Sequence, residues 1–143
     1  MNRMERLKTL TPKFVELIPG NNEELMPGII YICAKHKTVV HRCPCGCGGL
    51  SEFVLSPKRF RMTYDGDSVT FSPSVGNPHL GCRSHYWIRG NQVQWCLPMQ
   101  DWEIGRARER EHRETLEARR RQDLQENKGF GSLWEKLGKI WKR

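Results

Sequence analysis

Three closely spaced cysteines form the stretch of this sequence best suited to metal binding. Cys43, Cys45 and Cys47 alternate with Pro44 and Gly46, and two further glycines follow directly. Glycine adopts positive φ without steric strain, so the backbone can curl tightly and neighbouring thiols can point at one centre. Three thiolates from a single turn would fill three of the four positions of a tetrahedral zinc site.

The fourth ligand must come from elsewhere in the chain. Cys82, which follows Gly81 and introduces a predicted strand, is the best-placed remaining thiol. The C-x-C-x-C spacing is less specific than paired C-x-x-C motifs, so His41, His79 and His85 are alternatives. A site of four cysteines has no open position for water, which indicates structural zinc. Such a site can contribute roughly 10 kcal/mol to folding, so the domain would depend on its metal.

A second group of residues could perform nucleophilic chemistry. A serine nucleophile needs a histidine within hydrogen-bond reach and amide donors aimed at the developing oxyanion. Side chains alternate along a strand, so the adjacent Ser84 and His85 should point in opposite directions and form no direct pair. Ser84 should instead share a face with Cys82 and Tyr86.

Two serine–histidine pairings remain open. In the favoured one, Ser74 lies in a turn with His85 as base, and the amides of residues 75–77 are candidate oxyanion donors. In the other, Ser84 on the metal-facing side pairs with His41 beside the cysteine run. The residues alone favour the simpler interpretation, in which Ser74 is a turn hydroxyl and His85 an ordinary strand residue.

The elements that would position these groups are mainly strands. Short segments rich in β-branched and aromatic residues alternate with turn residues, which is typical of a small antiparallel β domain. Two-residue turns at Asp65-Gly66 and Gly90-Asn91 predict two hairpins. The predicted strands are Lys13–Ile18, Gly28–Cys33, Thr38–Arg42, Glu52–Leu55, Arg59–Tyr64, Ser68–Ser72, Arg83–Arg89 and Gln92–Leu97.

The composition changes after Pro98, which divides the chain into a zinc-binding β domain over 1–98 and a charged helical tail over 99–143. Many Arg and Glu residues and few strand formers predict a solvated helix over about 100–126. Glycines at 129 and 131 should end it. A capping box beginning at Ser132 then predicts an amphipathic helix over about 132–142, suited to docking on protein.

Charge and cysteine content limit the class of protein. The net charge is +8, but acidic residues are interspersed with the basic ones, so nucleic acid is a possible partner without being indicated. Neither a secretory signal nor a transmembrane segment is recognisable, which predicts a cytoplasmic protein. Six cysteines in that reducing compartment are better explained as ligands or buried thiols than as disulfides. Cys33 and Cys96, in apolar strand-like surroundings, are expected in the core.

Three motifs in this order resemble a family of small bacterial proteins encoded beside ubiquitin-like, E1-like and E2-like proteins. They are H-R-C-P-C-G-C-G at His41–Gly48, P-S-V-G-N at Pro73–Asn77 and C-R-S-H-Y-W-I at Cys82–Ile88. The similar region covers about residues 28–97, and the helical tail lies outside it.

The resemblance implies a zinc-stabilised domain and a serine-type peptidase with a Ser–His dyad. Its substrate would be a ubiquitin-like protein, processed as a precursor or removed from targets in a conjugation pathway linked to antiphage defence. The resemblance raises the catalytic interpretation of Ser74, Ser84, His85 and His41 without choosing between the pairings. The alternative is a non-catalytic zinc-binding adaptor for a ubiquitin-like protein or nucleic acid, because a motif alone does not establish catalysis.

Overall fold

A computed structural model describes residues 5–20 and 24–140, with side chains up to residue 126. The chain divides into two compact units, Met1–Met99 and Gln100–Arg143. The first unit contains all the strands of the described residues and the second contains the helix. The prediction of a mainly β protein with antiparallel sheets and a C-terminal helix is confirmed.

Nine strands form three small sheets in the first unit. The strand order is β1-β2-β3-β4 in the first sheet, β5-β6 in the second and β7-β8-β9 in the third. Every pair is antiparallel except β1 with β2, which is parallel. The strands are β1 Thr11–Phe14, β2 Ile29–Cys33, β3 Thr38–Arg42, β4 Leu50–Val54, β5 Arg61–Tyr64, β6 Val69–Ser72, β7 Val75–Gly76, β8 His85–Arg89 and β9 Gln92–Trp95.

Eight of these strands overlap the eight predicted segments, whereas β7 was not predicted. With only two residues, Val75 and Gly76, it is too short to show the alternation on which strand prediction depends. It forms because its residues pair with Tyr86 and His85 of β8. This short strand brings the segment that contains Ser74 beside β8.

The two predicted hairpins are present with different turns. Between β8 and β9, Arg89 pairs with Gln92, so Gly90 and Asn91 form a two-residue turn as predicted. Both have positive φ, at 54° and 66°, which is the requirement of a type I′ turn. Between β5 and β6, Tyr64 pairs with Val69, so that loop has four residues rather than two.

The core lies between the three sheets and is built from strand residues that alternate with exposed ones. In β8, for example, Tyr86 and Ile88 are fully buried while Arg89 is exposed. The buried apolar cluster consists of Leu10, Ile30, Ile32, Val39, Phe53, Val69, Phe71, Val75, Tyr86, Ile88 and Val93. The face of β8 opposite this core therefore remains free to carry polar groups.

The second unit contains a single helix, α1, Asp101–Ile140. The sequence analysis predicted two helices with a break at 128–131, but the backbone there stays helical. A helix-interior glycine costs only about 1 kcal/mol relative to alanine, and no proline stands in this stretch to remove a helical hydrogen bond. The predicted capping box and apolar face lie outside the described side chains. Among the described residues, no helix is long and apolar enough to cross a membrane.

Candidate functional site

The cysteine run forms a tight knuckle between β3 and β4, defined here as Cys43–Gly49. The Cys43 amide bonds to the Gly49 carbonyl at 2.8 Å, and the Gly46 amide bonds to the Cys43 carbonyl at 3.1 Å. Gly46 and Gly48 have φ of 85° and 78°, the left-handed region in which glycine is favoured. The glycines thus produce the curl that the sequence predicted.

Four thiols meet at this knuckle. The Sγ atoms of Cys43, Cys45, Cys47 and Cys82 all lie within 4.8 Å of one another. Cys82 Sγ is 3.8 Å from Cys43 Sγ and 3.7 Å from Cys47 Sγ, and Cys43 Sγ is 3.4 Å from Cys45 Sγ. None of these is a disulfide, since all six cysteines are free.

The spacing of the sulfur atoms tests whether zinc would fit. Four thiolates at about 2.3 Å from a tetrahedral zinc ion are about 3.8 Å apart. Two of the three observed separations match this edge length, and the third, Cys43 to Cys45, is a little short. The four cysteines could therefore hold a metal ion, and their all-thiolate chemistry suits zinc.

Cys82 reaches the knuckle because the loop before β8 packs on it. A Cβ atom added to Gly49 would lie 2.6 Å from a methyl carbon of Leu80, so the Leu80 side chain rests against the bare glycine backbone. The loop is closed by backbone hydrogen bonds from Leu80 to Asn77 at 3.2 Å and from Arg83 to Leu80 at 3.0 Å. Glycine at 49 is thus required by close packing.

Hydrogen-bond donors from neighbouring residues point at the sulfur atoms. The Ser84 hydroxyl donates to Cys82 Sγ at 3.2 Å, and the Asn77 side-chain amide donates to Cys43 Sγ at 3.6 Å. Burial raises the pKa of the Cys43 thiol to about 12. A bound cation would offset that cost by stabilising the thiolate, and the donors would orient the ligands around it.

None of the three alternative histidine ligands lies in this cluster. His41 is fully buried, and its Nε2 lies 2.8 Å from the hydroxyl of Tyr86. Burial lowers the pKa of His41 to about 3, so its ring is neutral at physiological pH. His79 Nε2 contacts the Leu50 carbonyl at 3.2 Å, and His85 faces Ser74.

The structure brings Ser74 and His85 together. Ser74 Oγ lies 2.8 Å from His85 Nε2, within hydrogen-bond distance. Val75 pairs with Tyr86 and Gly76 with His85, which sets Ser74 diagonally opposite the histidine on the face of the sheet away from the core. Both residues are half-buried, so the pair is accessible from solvent.

The second pairing, between Ser84 and His41, is not formed. Ser84 is buried and bonds to Cys82, while the described partner of His41 is Tyr86. The expected alternation is present, because Ser84 shares the metal-facing side with Cys82 and Tyr86 whereas His85 points the other way.

Backbone groups complete the surroundings of His85. Its Nδ1 lies 3.2 Å from the carbonyl oxygen of Leu97, on the segment that follows β9. The Cys96 amide donates to the His85 carbonyl at 2.9 Å, so Cys96 stands beside His85 at the next position of the β8–β9 ladder. Cys96 is only half-buried, in contrast to the fully buried Cys33, so the core prediction holds for Cys33 alone.

The register of β7 decides which amides near Ser74 are free. The Asn77 amide bonds to the Ser84 carbonyl at 2.9 Å, and alternation along an antiparallel ladder gives Val75 a bonded pair with Tyr86. The Gly76 amide between them points away from β8. Of the three amides that the sequence offered as oxyanion donors, only that of Gly76 is directed away from the ladder.

Three further residues at the site were missed by the sequence analysis. Asn77 and Tyr86 form a buried bond of 3.2 Å that adjoins the thiols, and the Met99 thioether packs against Gly76. Their positions follow from tertiary packing between distant segments, which leaves no periodic signal in the sequence. The presence of Asn77 within the P-S-V-G-N motif was the one available hint.

Fold and site together define a class: a small β protein with a four-cysteine metal site and a serine–histidine pair on the adjoining sheet. A family model described as "Bacterial ubiquitination-like system serine protease (BubE)" matches residues 14–96. That range is more than half of the chain and contains both groups of residues, and the chain belongs to this family. Comparison with curated proteins and with solved structures gives no match.

Proposed function

We propose that this protein is a serine-type peptidase in which Ser74 is the nucleophile and His85 the general base. The observation that carries the proposal is the 2.8 Å contact between Ser74 Oγ and His85 Nε2. The pair lies within the part of the chain matched by the serine protease family, and the competing Ser84–His41 pairing is not formed. Ser74 and His85 are thus the pair to which the family's activity is assigned here.

The mechanism follows from the two atoms in contact. Ser74 Oγ attacks the scissile carbonyl as His85 Nε2 takes the hydroxyl proton, and the proton is then passed to the leaving amine. Water hydrolyses the resulting acyl-enzyme, with the histidine again accepting and returning a proton. A dyad suffices for this sequence of proton transfers.

The Gly76 amide is the donor assigned to the developing oxyanion. It is two residues beyond Ser74 and is not consumed by the β7–β8 ladder. A backbone amide aimed at the site of negative charge in the transition state is a large contributor to acyl-transfer catalysis. The absence of a side chain at this position leaves room for a substrate backbone to approach.

Zinc is assigned a structural role at Cys43, Cys45, Cys47 and Cys82. With four thiolates the metal would have no open position, and its bonds would join the knuckle to the loop before β8. That joint supports the strand that contains His85. The metal takes no part in the proton transfers proposed here.

The substrate proposed is a ubiquitin-like protein of the bacterial system named by the family. The enzyme would cleave the peptide bond that follows the C-terminus of the modifier, or the bond between modifier and target, within an antiphage conjugation pathway. E1-like and E2-like enzymes of the same pathway are proposed as partners. The adaptor alternative predicts binding of the ubiquitin-like protein without cleavage.

Cleavage of a ubiquitin-like precursor by the purified full-length protein tests this proposal. Ser74→Ala and His85→Ala should each slow cleavage by at least about 10³-fold, as expected for members of a catalytic unit. Ser72→Ala and His36→Ala are matched controls, because both side chains are exposed and outside the site. Normal cleavage by Ser74→Ala would reject the assignment, and binding of the precursor without cleavage by the wild type would favour the adaptor.

A further inference from the structure

We infer that Pro98 is a positioning residue for the Ser74–His85 pair and that it acts through the carbonyl of Leu97. That carbonyl would set the tautomer of His85, a task performed by a carboxylate in Ser-His-Asp enzymes. The inference rests on the proposed function, since it concerns the same histidine. It adds two residues that lie at or just beyond the end of the matched range.

The tautomer follows from the chemistry of the two contacts to the ring. A carbonyl oxygen can only accept a hydrogen bond, so His85 Nδ1 must carry the proton in its 3.2 Å contact with Leu97. A neutral imidazole has one N–H, so Nε2 is then the unprotonated nitrogen. The Ser74 hydroxyl therefore donates to Nε2 across 2.8 Å, which is the direction that a general base requires.

The side chain of Leu97 does little to hold this carbonyl in place. It is 82% exposed, so the position of Leu97 is set by its backbone rather than by packing. Two hydrogen bonds to the start of β8 flank it. The Cys96 amide donates to the His85 carbonyl at 2.9 Å, and the Met99 amide donates to the Arg83 carbonyl at 3.4 Å.

Pro98 supplies the remaining constraint between these two anchors. Its ring fixes its own φ near −65° and excludes the helical region for the preceding residue, which keeps Leu97 extended. An extended Leu97 between two anchored neighbours has its carbonyl direction fixed before substrate binds. None of the hydrogen bonds described for His85 involves a carboxylate, so this carbonyl is the group available to orient the ring.

Nitrogen-15 NMR of the imidazole rings tests the inference without substrate. Full-length, zinc-loaded protein with Ser74→Ala is examined at a pH where His85 is neutral. We expect Nδ1 of His85 to be protonated and Nε2 to give the signal of an unprotonated nitrogen. The Pro98→Ala substitution in the same background should shift both signals towards a mixture of tautomers, and Pro57→Ala, in the loop between β4 and β5, should not.

Kinetics provide the second measurement. With Ser74 present, Pro98→Ala should lower kcat roughly tenfold, a part of what a general base contributes, and leave KM, zinc content and melting temperature unchanged. A neutral His85 protonated on Nε2 in the wild-type background would overturn the inference even if Pro98→Ala did not fold. So would an unchanged tautomer and kcat in Pro98→Ala. Absence of cleavage by the wild type would instead count against the proposed function, because the tautomer can be measured without turnover.

Discussion

The side-chain amide of Asn77 donates to Cys43 Sγ at 3.6 Å, although 34 residues separate the two in the sequence. The same amide donates to the Tyr86 hydroxyl at 3.2 Å, and Asn77 is 99% buried, with 1% of its surface exposed. Asn77 directly follows β7, so one buried side chain links the thiol cluster, β8 and the strand beside Ser74. The metal site and the serine–histidine pair therefore share a support.

Asn77→Ala should weaken that support. The Tyr86 hydroxyl and the thiol of Cys43 would each lose a donor, which we expect to lower the free energy of unfolding by about 2 kcal/mol. Urea unfolding of the zinc-loaded protein measures this change. Gln94→Ala, at an exposed position of β9, is the control and should be within about 0.5 kcal/mol of wild type. Equal effects of the two substitutions would show that the Asn77 contacts do not matter.

Cys45→Ser should remove zinc, and Cys96→Ser should not. The first substitution replaces a member of the four-thiol cluster, whereas Cys96 lies outside it. Because structural zinc contributes on the order of 10 kcal/mol to small domains, loss of the metal should unfold the β unit. Metal content by mass spectrometry and thermal melting of both variants provide the readout. Equal metal content and equal melting temperature would contradict the ligand set.

Gly49→Ala should separate the knuckle from the loop before β8. The new methyl group would lie 2.6 Å from a Leu80 methyl carbon, so the leucine must move. Overpacking of this kind costs about 1–3 kcal/mol. Adding Leu80→Ala to Gly49→Ala should restore part of that loss, because it removes the colliding atoms. Thermal melts of the two single variants and the double variant form a cycle, and strictly additive losses would exclude direct contact.

Gly76→Pro should reduce catalysis more than stability. Proline is tolerated where the amide points away from the ladder, as it does at Gly76, but it removes the proposed oxyanion donor. We expect kcat to fall by about 10²–10³-fold with the melting temperature largely retained. Met99→Ala in the same background relieves contact between the new ring and the Met99 thioether and should not restore activity. Restored activity would mean that crowding, and not the missing amide, caused the loss.

How much of this site could be predicted depended on the kind of interaction. The four cysteines and the alternation of Ser84 and His85 follow from local spacing, and the sequence predicted both. The sequence offered Ser74–His85 and Ser84–His41 with little to separate them. Contacts between distant segments decide that question, because His41 is enclosed in the core beside Tyr86.

The remaining differences also come from long-range or cooperative effects. The strand β7 exists only because β8 pairs with it, and the Leu97 carbonyl is a backbone group whose role no residue type reveals. The single helix in place of two shows that two glycines do not suffice to end a long helix in the absence of proline.

The most direct test of the central claim is covalent labelling of the nucleophile. A fluorophosphonate probe, which reacts with activated serine hydroxyls, is incubated with the full-length zinc-loaded protein, and peptide mapping by mass spectrometry locates the adduct. We predict one adduct on Ser74 that is lost in His85→Ala and retained in Ser84→Ala. An adduct on Ser84, or labelling of Ser74 that is equally fast without His85, would contradict the account.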